Sequence, residues 1–185
     1  MKKLSVIVIL LSAVCFSFNN NRQHPYSFFN EKNDGYELRK MKNEAFKRGE
    51  LLKYGVHYGF MDAGEAIIEV KEEDKTMGSR HTYHVVGTGR SKGTFDWFFK
   101  VKDRYESYID EEAMVPWIFV RRVSEGGYTI NQDYLFNHFK NKVDIGGGQS
   151  FDIPENTQDM ISAFYATRCM DFSNAKEGDI VSLNS

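Results

Sequence analysis

The sequence predicts a mainly β chain with one substantial α-helix, laid out as an antiparallel meander that forms a curved sheet or half-open β-barrel. Three observations carry this. Aromatic residues make up 15% of the 185, against only 3 prolines and 15 glycines, a mixture of pleat formers and turn formers. Residues 52–60 alternate, with Leu52, Tyr54, Val56, Tyr58 and Phe60 on one side and Lys53, Gly55, His57 and Gly59 on the other. A period of two belongs to a strand with one large-residue face. A long apolar stripe at helical spacing occurs in one stretch, residues 156–172.

In chain order, the first element is a leader. Lys2 and Lys3 precede an apolar run over residues 4–18, broken only by Ser5, Ser12 and Ser17 and ended by Asn19, Asn20 and Asn21. This is the three-part plan of a secretory signal peptide, and the run is short for a membrane span, which needs about 20 residues. Small residues at Cys15 and Ser17 fit a cut after Ser17, which makes 1–17 the signal peptide. An uncleaved anchor is the alternative. A lipoprotein acylated at Cys15 is another, but Val14 is a poor residue for the site before such a cysteine. The predicted location is therefore export, to the periplasm of a Gram-negative bacterium. Cleavage removes Lys2 and Lys3, takes the net charge from −2 to −4, and leaves Cys169 as the single thiol. No intramolecular disulfide is then possible.

Residues 18–45 read as a poorly ordered or short helical lead-in: an Asn-rich piece, then a charged segment that could be helical before Gly49. The β domain is expected over 46–185. A hairpin joins the alternating strand to residues 65–70 through a turn at 61–64. Residues 71–80 are polar and charged and read as a loop, followed by a strand at 81–89. Residues 95–101 look helical or irregular. Strands follow at 103–110 and 115–122, the latter with Pro116 at its start, where a missing N–H is tolerated. Glu125-Gly126-Gly127 is a turn, residues 128–143 read as one long strand, and Gly146-Gly147-Gly148 is a flexible loop. The helix at 156–172 has Asn156 or Thr157 to cap it and Asp159 in its first turn. Apolar residues 180–183 read as the start of a further strand, so the domain is expected to be incomplete at its C-terminal end.

Composition limits the function. Lys+Arg 24 against Asp+Glu 26 gives no basic stripe for nucleic acid. A mean hydropathy of −0.51 fits a chain with no transmembrane span after signal cleavage. His81 and His84 are three apart, on opposite faces of a strand, and no zinc or other metal pattern is present. No nucleophile elbow surrounds Ser162, and Cys169 near a helix C-terminus reads as a packing residue. Gly87-Thr88-Gly89 with Gly93 matches no phosphate-binding loop. Catalytic residues, metal ligands and cofactors are thus all predicted to be none. Two aromatic groups remain: Phe95, Trp97, Phe98 and Phe99, and, separately, Trp117 and Phe119. They read either as barrel core or as an apolar groove for a lipid or acyl chain.

Three segments then resemble a known family: residues 46–70, residues 87–110 and the helix from Thr157 to Phe172. They are similar to DUF3108, a bacterial exported family of unknown function. Tyr54, Val56, Gly59, Ala63 and Gly64 follow the rhythm of its opening strand, the last two set one residue further along. Asp159, Ser162, Tyr165 and Arg168 follow its helix pattern. The resemblance implies a curved or half-open barrel like the YmcC-like and lipoprotein-carrier folds, and no activity. Spaced by three, those four helix residues share one face and are expected to anchor the helix to the sheet. The function expected is a non-enzymatic binding or scaffolding module of the cell envelope. The alternatives are a periplasmic carrier of a lipid or other apolar ligand and an envelope-polymer hydrolase. The partner expected is an apolar ligand or an envelope component.

Overall fold

The computed structural model describes residues 36–184 other than Phe60. The signal peptide at 1–17, Cys15 and the lead-in up to residue 35 lie outside the described residues. Eight strands run in strict sequence order through one antiparallel sheet: β1 (Leu51–Tyr58), β2 (Met61–Met77), β3 (Arg80–Ser91), β4 (Lys102–Asp110), β5 (Pro116–Glu125), β6 (Tyr128–Asn137), β7 (Lys142–Asp144) and β8 (Ser150–Asp152). β1 and β8 do not pair, so the sheet stays open. One turn of helix, α1 (Phe95–Phe98), lies between β3 and β4, and α2 (Met160–Arg168) follows β8. No described helix is long and apolar enough to cross a membrane.

Register fixes the two faces. Val70, Val85, Ser107, Phe119 and Tyr134 stand opposite one another on successive strands. Because side chains alternate, every residue of this row points the same way. α2 covers the row: Ile161, Tyr165 and Ala166 join Val70, Val85, Ile109, Phe119, Phe136 and Val143 in the main core. Burying a side chain such as Ile161 contributes about 1.5–3 kcal/mol. Gly87 lies under Ile161, and a Cβ there would sit 3.7 Å from Cδ1. On the other face a smaller cluster gathers Met77 and Trp117 with Leu38, Tyr108, Ile118, Leu135 and Phe139.

Several expectations need correction. Residues 36–50 form no helix; they are a strap around one end of the sheet. Arg39 donates to the carbonyls of Ala113 and Met114 at 2.9 and 3.0 Å, and the Met41 N–H to that of Glu112 at 2.8 Å. Leu38 packs on one face of the sheet and Met41 and Phe46 on the other. Residues 71–77 are strand, not loop, because cross-strand bonds satisfy their polar side chains. Thr82 Oγ1 donates to Lys75 O at 2.7 Å, and His84 Nδ1 meets Glu73 at 2.6 Å. The long strand expected at 128–143 breaks at a turn containing Asn141, at φ 51°. Asn156 has φ 58° and cannot begin a helix, so the cap moves to Asp159 and α2 is shorter than residues 156–172. Residues 180–183 are irregular chain. The local segment is tied instead through Asn184, whose carbonyl accepts from Gln158 N–H at 2.8 Å.

Candidate ligand groove and helix anchor

The four helix residues meet two separate groups of partners. Asp159 is the N-cap of α2. One carboxylate oxygen accepts from the N–H groups of Ile161 and Ser162 at 2.7 and 2.9 Å, and the other from Ser107 Oγ on β4 at 2.6 Å. Ser162 Oγ returns the favour by accepting from the Asp159 N–H at 2.9 Å, which completes a capping box. At the far end Arg168 forks onto Glu50, just before β1, with Nη1–Oε1 at 2.6 Å and Nη2–Oε2 at 2.7 Å. Tyr165 donates to the same carboxylate at 3.1 Å, and Arg168 lies 5.6 Å over the Phe46 ring.

These environments push the acids in opposite directions. The Arg168 guanidinium holds Glu50 below the usual carboxylate range. Burial raises Asp159 to about 6, against the pull of its Ser107, Ser162 and Ile161 donors. Burial, with Glu50 alongside, raises the Tyr165 phenol.

The aromatics expected in one groove are not brought together. Trp117 is buried at the strap end of the sheet. The register shift between Tyr108 and Ile109 leaves it as an extra residue on β5, and its indole N–H donates to Asp110 at 3.0 Å. Phe95 is half-buried near Val56 and Ala63 at the opposite end, while Trp97 and Phe98 stand in solvent and Phe99 lies against Gly126.

A groove of about 660 Å³ lies elsewhere, on the face that α2 leaves open. Two rows of the register build it. Glu65, Arg90 and Lys102 stand opposite one another on β2, β3 and β4. Ile67, Thr88, Arg104, Arg122 and Asn131 form the next row, from β2 to β6. Four cations therefore wall a floor made by Ile67, Thr88 and the strand backbone. Arg90 pairs with Glu65, Arg104 with Glu106 at 2.7 Å and Arg122 with Asp133 at 2.6 Å. Sequence reasoning missed these residues because the four cations are spread over β3, β4 and β5; only the register collects them.

Two rows further along the same face, His84 is buried and stacked on Tyr108 at 4.3 Å. Its Nδ1 meets Glu73 at 2.6 Å and its Nε2 meets Glu106 at 2.7 Å. The two carboxylates take opposite edges of the ring and cannot share one ion. Among the described residues no three His, Cys, Asp or Glu side chains converge to hold a metal.

The family model DUF3108, described as a protein of unknown function, matches residues 53–185. The chain belongs to the DUF3108 family. No curated protein and no solved structure matches it significantly. The family match takes in both groove rows and the whole of α2, but not Glu50, to which α2 is tied.

Proposed function

We propose that this DUF3108 chain is an exported, non-enzymatic binding module of the bacterial cell envelope. Its ligand is an amphiphile with an anionic group, held in the groove on the open face of the sheet. The composition of the two groove rows carries this reading. Ile67, Thr88 and the hydrocarbon stems of Arg90, Lys102, Arg104 and Arg122 offer an apolar bed, and their charged ends surround it. A volume of about 660 Å³ is in the range that small ligands fill. Lys102 has no carboxylate partner among the described residues, so an anion there meets an uncompensated charge. The pairs Arg104–Glu106 and Arg122–Asp133 involve half-exposed guanidinium groups, and such pairs contribute only about 0–1 kcal/mol. A ligand carboxylate or phosphate can therefore draw either arginine toward itself at little cost. Export is supported by the plan of the leader, and carriage of an apolar tail by Ile67 at the floor.

The test is mass spectrometry of solvent extracts from the purified protein. The reading predicts a co-purified anionic amphiphile that is lost in Arg104→Glu/Arg122→Glu. A wild type that emerges empty and takes up neither a fatty acid nor a lysophospholipid on titration would overturn it.

A further inference from the structure

In a meander, alternate turns lie at the same end, so the β1–β2, β3–β4 and β5–β6 connections share the end remote from the strap. There the chain holds large apolar side chains out in water. Trp97 is 84% exposed and Phe98 74%, packed edge to face on each other at 4.9 Å, with Phe99, Tyr128 and Met61 exposed beside them. The projection is built rather than loose. The Lys92 N–H donates to Ala63 O at 2.9 Å, the Phe99 N–H to Phe95 O at 2.9 Å, and the Gly126 N–H to Lys100 O at 3.0 Å. The Val101 N–H donates to Ser91 Oγ at 2.8 Å. Phe95 turns inward and is half-buried while Trp97 and Phe98 turn out. In a chain whose net charge is −2, residues 90–102 carry Arg90, Lys92, Lys100 and Lys102 against the single acid Asp96. Across the hairpin Arg90 and Lys92 share one carboxylate, Glu65, which leaves one positive charge over, and Lys100 has no carboxylate partner among the described residues.

We propose that this aromatic turn docks the protein on an anionic lipid surface, with Trp97 and Phe98 among the headgroups and Lys92 and Lys100 facing phosphates. An exposed apolar cluster of this kind marks an interaction site. Aromatic rings with adjacent lysines are the side chains that favour the membrane interface. A second copy of the chain is a poor occupant. It would have to bury Lys92 and Lys100 beside the rings, and lysine is depleted in protein–protein interfaces. The docking does not depend on the groove being a binding site.

The experiment is flotation with vesicles of phosphatidylethanolamine and phosphatidylglycerol, using a chain that begins at Phe18 and so keeps every described residue. The wild type should float with these vesicles and not with phosphatidylcholine alone, and added salt should release it. Trp97→Ala/Phe98→Ala should weaken binding about tenfold or more, with unchanged thermal unfolding, since both side chains are exposed. Lys92→Glu/Lys100→Glu should abolish the preference for phosphatidylglycerol. Equal flotation of the aromatic variant and the wild type would overturn the proposal, as would no flotation of either. A concentration-dependent dimer that disappears in the aromatic variant, without vesicle binding, would overturn it in favour of a second copy.

Discussion

Arg168 at the end of α2 and Glu50 just before β1, 118 residues apart, form a two-pronged ion pair that ties the helix to the entry of the first strand. Both side chains are largely shielded, 25% and 18% exposed. The pair thus lies between a surface bridge and a fully buried one.

Arg168→Ala should therefore lower unfolding stability by about 1–3 kcal/mol, read by urea denaturation, because the Glu50 carboxylate and the Ala45 carbonyl lose their guanidinium donor. Glu50 is depressed from the ordinary 4.5, so in acid the unfolded chain takes the proton first. The stability it supplies is complete above that value and disappears as the pH falls through the folded one. Glu50→Gln should flatten this acid limb. Unchanged stability in Arg168→Ala would show that packing alone fixes α2.

Two buried groups give opposite slopes at mildly acid pH. His138 is neutral, with Nε2 donating to Pro116 O at 2.7 Å, and burial lowers it from 6.5 to about 4. The unfolded chain binds the extra proton across that window, so this residue makes stability rise with pH. Asp159 is raised from 3.8 to about 6. There the folded chain binds the extra proton, so stability falls as pH rises. Each slope reaches about 1.4 kcal/mol per pH unit at most, and in the wild type they largely cancel between roughly pH 4 and 6. Asp159→Asn, which keeps the cap, should leave a rising profile. His138→Gln, which keeps a donor for Pro116, should leave a falling one. Chemical denaturation across the pH range reads both, and parallel profiles in the two variants would contradict the assignment.

Gly126→Ala should destabilise by about 1–3 kcal/mol, measured by thermal unfolding. Its φ is +53°, and a Cβ there runs into the Phe99 ring. In a Phe99→Ala background the ring clash is gone and only the backbone strain remains, so the loss should shrink. An equal loss in both backgrounds would mean that Phe99 is not seated on this turn.

Alternation at Leu52, Tyr54 and Val56 was enough to read β1, and the spacing of Asp159, Ser162, Tyr165 and Arg168 was enough to place one helical face. Local pattern failed wherever a distant partner decides the conformation. Residues 71–77 look like loop because much of their polarity is satisfied by residues remote in sequence, Arg48 of the strap and His81 and His84 of β3. Residues 36–50 look helical because the carbonyls of residues 112–114, which hold the strap, are remote in sequence. Trp117 reads as a candidate for the same groove as Phe95, Trp97, Phe98 and Phe99 because the bulge that swings it into the strap-end cluster leaves no trace in composition. The groove was invisible for the same reason: Arg90, Lys102, Arg104 and Arg122 lie on three strands and converge only through register.

The groove itself is tested most directly by amide chemical shifts on titration with dodecanoate. The account predicts shifts that cluster on Ile67, Thr88, Lys102, Arg104 and Arg122, saturate, and vanish in Arg104→Glu/Arg122→Glu while the spectrum stays dispersed. Shifts confined to α2 and the strands beneath it, or none up to the solubility limit of dodecanoate, would contradict it.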